Sequence, residues 1–307
     1  MSKFLIVTDI HLSGKNPIQY IGDYWQDTFA KFIEILQLSN QYKCEAIFSG
    51  GDLLDSPLLS LTLTDLIIDA INKNNIPFYA IPGNHEENNH NWSLSENTTL
   101  AHMFRRSDLI KFLDTYEDDK VIIKGWGYYH GIEDAIKEGL LNVPKTKKWK
   151  IGLVHALITE KKFLPSVLHV QAETIQSNID IIFSGHYHQP YHIIGDTEVY
   201  NLGAIGLRDI NEIKIKPSVV IIDTLTREVT PIQLKNIRKG KELFDLAGIE
   251  ASKEYDKNID DFIASLETSV VTEEGIRGQI EALAKDKQID KEIIADLINR
   301  VGNAEEK

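Results

Sequence analysis

Phe4-Leu5-Ile6-Val7-Thr8-Asp9-Ile10-His11 sets the pattern by which the rest of the chain is read: an apolar run too short for a helix, ending in an acid and an imidazole. Ala46-Ile47-Phe48 runs in the same way into Ser49-Gly50-Gly51-Asp52, and Phe78 to Ile81 into Pro82-Gly83-Asn84-His85. Short β-branched and aromatic runs bounded by Gly, Pro or Asn read as strands, so each of these delivers polar groups at its C-terminal end. Between them, Trp25 to Leu38 and Leu61 to Asn72 repeat apolar residues at three- and four-residue spacing, the period of a helix lying on a sheet. The order β-α-β-α-β predicts an α/β fold.

The grammar resumes with Val121 to Ile123, Ile151 to Val154 and Ile181 to Phe183, whose ends carry Gly125, His155 and Gly185-His186-Tyr187-His188. Tyr191 to Ile194, Glu198 to Asn201, Ser218 to Asp223 and Glu228 to Leu234 follow at close spacing. They are expected to be antiparallel strands completing a second sheet. From Lys241 the period turns helical, over Tyr255 to Leu266, Glu273 to Ala284 and Lys291 to Val301. The chain therefore divides into a main domain, 1–240, and a short helical C-terminal segment, 241–307. That segment carries 9 Lys and Arg against 17 Asp and Glu, a net −8, leaving −5 for the first 240 residues. It is too small for a substantial core of its own, so it is expected to cap the main domain or dock a partner.

Composition removes several classes. At 307 residues, with 42% hydrophobic and 26% charged residues, the chain has the makeup of an ordinary globular protein, not of a disordered or fibrous one, and its size permits an enzyme. A single cysteine, Cys44, excludes a disulfide framework and a cysteine-rich zinc cage. No apolar run approaches the ~20 residues of a membrane-spanning helix, and Met1 to Ile10 lacks the marks of a secretion signal, so the expected location is cytoplasmic, without membrane. The net charge of −13 argues against holding nucleic acid by bulk charge.

In an open α/β sheet the loops at the carboxyl ends of strands converge on one crevice. Five clusters meet that condition: Asp9-x-His11, Gly51-Asp52-Leu53-Leu54-Asp55, Gly83-Asn84-His85-Glu86, His155 and Gly185-His186-Tyr187-His188. Two carboxylates, an amide and four or five imidazoles suit two divalent ions with mixed nitrogen and oxygen ligands. Such a pair answers the difficulty of phosphoryl transfer, because it neutralises the phosphate, activates water and steadies the leaving oxygen. A carboxylate must then bridge the ions, and Asp52 is the candidate.

This ordered set, D-x-H, G-D-x-x-D, G-N-H-[DE], H and G-H-x-H, resembles the calcineurin-like metallophosphoesterase superfamily across residues 9 to 188. The resemblance implies a four-layer α/β/β/α sandwich with a two-metal site. It implies Asp9, His11, Asp52 and His188 around one ion, and Asp52, Asn84, His155 and His186 around the other. His85 would be the catalytic residue, stabilising the transition state or protonating the leaving oxygen. Within the superfamily the chain is most similar to the DNA repair exonuclease branch of SbcD-like nuclease subunits. The features shared with that branch are Gly51 to Pro57, Val121 to Trp126 with Tyr128, and Asn201-Leu202-Gly203-Ala204 with Arg208. That similarity implies Mn²⁺, with Fe or Zn also admitted by the ligands, a DNA substrate, a coiled-coil ATPase partner (SbcC-like), and a homodimer as a further option. Glu86 in place of the usual Asp, and Leu202-Gly203-Ala204 in place of Pro-Gly-Ser, depart from the pattern. A small-molecule phosphoesterase, such as a cyclic nucleotide phosphodiesterase or nucleotide phosphatase, is the alternative on the same fold. A non-catalytic interaction module is the alternative of another class.

Elsewhere, Asp55 reads slightly better as a structural residue than as a substrate contact. The loop Glu87 to Trp92 and the runs Arg105-Arg106 and Lys145 to Lys150 are weighed as nucleic-acid contacts against ordinary solvated faces. His90, His102, His130, His169 and His192 are read as surface or packing residues.

Overall fold

The computed structural model of the chain describes residues 2–87, 96–164, 166–238 and 242–246. Its layering follows from side-chain alternation along the first strand, β1 (Lys3–Val7), which is buried on both faces. Leu5 and Val7 enter a core shared with helices, while Phe4 and Ile6 enter a core shared with a second sheet. The chain continues through α1 (Tyr24–Gln41), β2 (Ala46–Ser49), α2 (Leu61–Asn74), β3 (Phe78–Ala80), α3 (Thr99–Arg106) and β4 (Ile110–Phe112). Strands β1 to β4 pair in parallel, in sequence order. Helices α1 and α2 begin where polar side chains take up free N–H groups: Asp23 accepts from Gln26 N–H and Ser60 from Leu63 N–H. Their apolar stripes, with Phe32, Ile35, Ile67 and Ile71, cover the outer face of this sheet.

Only two residues separate β4 from β5 (Thr115–Glu117), which opens the second sheet. There follow β6 (Val121–Trp126), α4 (Ile132–Lys137), β7 (Trp149–His155), β8 (Ile158–Thr159), β9 (Val170–Gln171), β10 (Ile181–Gly185), β11 (Tyr191–Ile193) and β12 (Glu198–Asn201). The strand order is β11-β12-β10-β7-β6-β5. Phe4 and Phe48 of the first sheet meet Tyr116 of β5 edge-on, with ring centroids 5.4 Å away in each case. Aromatic burial of this kind fastens the sheets face to face, and Phe48→Ala would cost roughly 3–5 kcal/mol. On the far side, Ile132 and Ile136 of α4 pack with Val154, Ile158 and Ile182. The result is the expected α/β/β/α sandwich, with a thin fourth layer made of α4 and the β8–β9 pair.

One sequence expectation is corrected. Strands β13 (Ser218–Asp223) and β14 (Glu228–Gln233) belong to the first sheet, whose order is β14-β13-β1-β2-β3-β4, and not to the second. Moreover, β12 is parallel to β10, so β11 is the strand that runs antiparallel beside it. Period-two alternation looks the same in either sheet. The choice is made by the segment after β12, where Ala204 N–H bonds His188 C=O and Ile205 N–H bonds Asp9 C=O, carrying the chain across the sandwich.

Near the end of the described chain, Leu243 and Phe244 are buried. Ile21 N–H bonds Leu243 C=O at 2.7 Å, and Asp245 N–H bonds Gln19 C=O at 3.0 Å. The expected helices Tyr255 to Leu266, Glu273 to Ala284 and Lys291 to Val301 lie outside the described residues. Among the described residues no helix is long and apolar enough to cross a membrane.

Candidate metal centre

All five polar clusters arrive at one end of the sandwich. Parallel register sets Val7 opposite Ser49, Ser49 opposite Ala80, and Gly185 opposite His155, so the loops that follow leave side by side. There the backbone departs from extended geometry: Asp9, His11, Asp52 and His186 have φ of 52°, 53°, 49° and 81°. The left-handed region is costly for residues with a Cβ, although Asp and His tolerate it better than most. Two glycines are demanded by closeness. A Cβ on Gly51 would sit 2.2 Å from His155 Nδ1, and one on Gly83 would sit 2.0 Å from Asp52 Oδ1.

Asp52 Oδ2 lies between two groups of donors, 3.8 Å from His11 Nε2 and 3.3 Å from His155 Nε2. On one side, His11 Nε2 and His188 Nε2 face each other at 3.0 Å, with Asp9 Oδ1 3.9 Å and 3.8 Å from them respectively. On the other, Asn84 Oδ1 is 3.0 Å from His155 Nε2 and 2.7 Å from His186 Nδ1. Asp9, His11 and His188 form one group able to hold an ion, Asp52, His155 and His186 another, and His11, Asp52 and His85 a third that borrows a member from each; each group's donor atoms lie within 4.8 Å. The seven sequence-predicted ligands are thus brought together, with Asp52 in the middle.

The donor set fits divalent cations. Oδ2 of Asp9 and of Asp52 are buried carboxylate oxygens without a hydrogen-bond partner, an expensive state unless a cation completes it. The imidazoles are turned the same way. His155 Nδ1 gives its proton to Gly50 C=O at 2.9 Å and His188 Nδ1 bonds Glu212 Oε1, so the Nε2 lone pairs point inward. Electrostatics agree. Burial opposes charge on Asp52, yet His155, then His11, hold its carboxyl well below the usual range. Burial likewise opposes charge on His155, but the Asp52 carboxylate overrides it and lifts the imidazole to about 9. A proton there takes the place a metal ion would hold. His186 goes the other way, lowered to about 3 by burial and by neighbouring His155, and is a neutral donor.

His85 stands at the edge of this group. Its backbone N–H bonds Asp52 Oδ1 at 3.0 Å, and its Nδ1 lies 3.2 Å from Asp55 C=O and 3.3 Å from Asp55 Oδ1. Arg208 Nη1 donates to His85 Nε2 at 3.2 Å, and Arg208 Nε lies 2.9 Å from Asp55 Oδ1. Burial, foremost, lowers the His85 pKa and keeps the ring neutral. Asp55, with His11 Nδ1 also 3.4 Å from its Oδ1, therefore does more than cap the following segment: it touches two imidazoles and a guanidinium. Glu86 departs from the usual Asp but is fully engaged, accepting from Asp52, Leu54 and Gly83 N–H at 3.1, 2.9 and 2.6 Å. It fixes the loop that presents Asp52.

Sequence reading missed Glu212. It accepts from His188 Nδ1 and from Arg208 and Asp209 N–H, the latter two at 2.6 and 3.2 Å. A lone acid 24 residues from its imidazole carries no spacing signal. Of the weighed nucleic-acid contacts in Lys145 to Lys150, Trp149 is buried, Lys148 and Lys150 pair with Glu117 and Asp180, and Lys145 and Lys147 are exposed. Arg105 bonds Glu96 C=O. The loop Glu87 to Trp92 lies outside the described residues beyond Glu87. Among the surface histidines, His192 pairs with Glu198 at 2.6 Å.

No curated protein matches the chain. Among solved structures it is similar to a dimetal phosphatase from Danio rerio, at 9% identity over 76% of this chain and 99% of that one, TM-score 0.47. It is also similar to TT1561 of Thermus thermophilus, at 11% identity, with the same coverage and TM-score 0.48. The phosphoesterase YfcE of E. coli matches at 14% identity over 76% of this chain and 100% of its own, TM-score 0.38. The sequence profile of the calcineurin-like phosphoesterases spans residues 2–190, a stretch that contains the seven candidate ligands and His85, and by it the chain belongs to the calcineurin-like phosphoesterase family.

Proposed function

We propose that the protein is a metal-dependent DNA nuclease that cleaves phosphodiesters with water at a two-ion centre. The observation that carries this reading is the convergence, at one sheet end, of two buried carboxylate oxygens without hydrogen-bond partners, Oδ2 of Asp9 and of Asp52, with His85, whose Nε2 is met by Arg208. When bound, two divalent ions supply neutralisation of the phosphate and activation of water. Asp9, His11 and His188 would hold one, Asn84, His155 and His186 the other, with Asp52 shared. The ligand types admit Mn²⁺, Fe or Zn, and Mn²⁺ is the choice that the exonuclease branch suggests.

The remaining chemistry belongs to this chain's side chains. Asp55 fixes the His85 ring through Nδ1, leaving Nε2 to exchange a proton with the leaving oxygen. Arg208 offers a planar fork that suits a phosphate, and moving it onto substrate frees His85 Nε2. Support for a nucleic-acid substrate comes from the branch-shared segment Asn201 to Arg208, whose arginine reaches the catalytic imidazole. On the same reading the chain acts in DNA repair or recombination, in the cytosol, with a coiled-coil ATPase partner.

The test incubates the full chain with Mn²⁺ and linear DNA, and separately with bis-p-nitrophenyl phosphate and cyclic nucleotides. Degradation of DNA is expected. Turnover of the small esters with no attack on DNA would transfer the assignment to a small-molecule phosphoesterase.

A further inference from the structure

Acids outnumber bases in this chain by 46 to 33, yet one groove reverses the sign. A cavity of about 700 Å³ has Lys214, Lys216, Lys235 and Arg238 in its wall and no Asp or Glu. It shares Lys214 to Lys216 with a second cavity of about 520 Å³, whose wall carries Tyr191, His192 and Tyr200. The three lysines are exposed. Among the described residues none of their ammonium groups pairs with a carboxylate, although Lys235 N–H bonds Glu34 Oε1 at 2.7 Å, whereas the Arg238 guanidinium is held by Asp27 at 2.7 Å.

Strand register puts this groove at the end of the sandwich that bears the metal centre. Gln233 lies opposite Ser218, at the start of β13, whose Val220 lies opposite Ile6 of β1. In the other sheet Tyr191 lies opposite Asn201, and Asn201 opposite Ser184, two residues before His186. Gln189, in the groove wall, follows His188 directly, and Lys214 comes two residues after the Glu212 that holds it. The groove thus begins beside the ligands and leads away along the edges of both sheets.

Unpaired ammonium groups in one groove wall suit backbone phosphates, and the exposed His192 ring beside the half-buried Tyr200 ring suits a base. The His192 and Tyr200 rings, paired across β11 and β12, lie 4.6 Å from each other, whereas the Tyr191 ring turns to the other face of the sheet, its hydroxyl on Ile158 C=O at 2.9 Å. Bases in a duplex are already stacked and paired, so only an unpaired strand can use such rings. We infer that the groove is the track along which a single strand of nucleic acid enters the metal centre, an inference that rests on the nuclease reading above and names its substrate form.

The test measures anisotropy of a fluorescein-labelled oligothymidylate with the full-length chain in EDTA, so that nothing is cut. The variant K214E/K216E/K235E should raise Kd by about tenfold or more and lower the salt dependence of log Kd by about 2, at ~0.7 per phosphate contact. Tyr200→Leu should raise Kd about fivefold and leave the salt dependence unchanged. Melting temperature and manganese stoichiometry verify folding, and K214Q/K216Q/K235Q gives the same direction should charge reversal disturb it. A Kd within about twofold of wild type in the lysine variants, or no oligothymidylate binding by the wild-type chain, overturns the track. Wild-type DNA cleavage is scored separately. Cutting combined with unaltered binding in the variants removes the track alone, and binding lost in the variants of a chain that cuts only small esters removes the nuclease reading alone.

Discussion

The two halves of the candidate metal centre are supported by different materials. Around His155 the support is backbone: Gly50 C=O holds its Nδ1, and the side chains of His155 and Asp52 are 0% and 1% exposed. Around His188, which is 21% exposed, the support is a side chain, Glu212, which also receives the N–H groups of Arg208 and Asp209. A backbone carbonyl cannot be altered by one substitution, whereas a carboxylate can. The two groups are buried alike, so the difference lies in support: the His155 half is held by backbone, and the His188 half is the adjustable one, wired through Glu212 and Arg208 to His85.

Removing what the halves share should have the largest effect. Asp52→Asn is expected to abolish tight binding of both ions, read by calorimetric stoichiometry, and to lower turnover by about 10⁴-fold or more. Unchanged affinity in that variant would contradict the shared role. Next comes His85→Ala, which belongs to neither half. It should retain two ions while losing roughly 10²- to 10⁴-fold in turnover, so a variant that also loses an ion would move His85 into the ligand set.

The last two predictions separate the halves. His155→Ala leaves Asp52 buried without its main partner, and the apo chain should lose about 3 kcal/mol, seen as a lower melting temperature in chelator. Glu212→Gln should leave that melting temperature within about 2 °C of wild type while weakening one ion about 10- to 100-fold. If the two variants exchanged these signatures, the division between a backbone-built and a side-chain-built half would fail.

The ligand positions of both halves were legible in sequence, because they sit at strand ends, where an apolar run stops at Asp9, Asp52, Asn84, His155 or His186, and strand ends are visible as changes of pattern. Gly51 and Gly83 announce the close approaches by their type. The support of the His188 half was not legible, since it depends on Glu212 and Arg208, which lie on the connection that crosses between sheets after β12. Nothing periodic marks such a connection. The same connection decided where β13 and β14 would pair, and local alternation could not tell one sheet from the other. Likewise β4 and β5, three residues each, were too short to announce the crossover between the sheets.

The central claim is that these separated loops grip two neighbouring cations. An anomalous difference map at the manganese edge, from crystals grown with Mn²⁺, tests it most directly. The account predicts two peaks, one among Asp9, His11 and His188 and one among Asn84, His155 and His186, with Asp52 reaching both. A map with no peak among these side chains, or with one peak that leaves either group empty at saturating Mn²⁺, would contradict it.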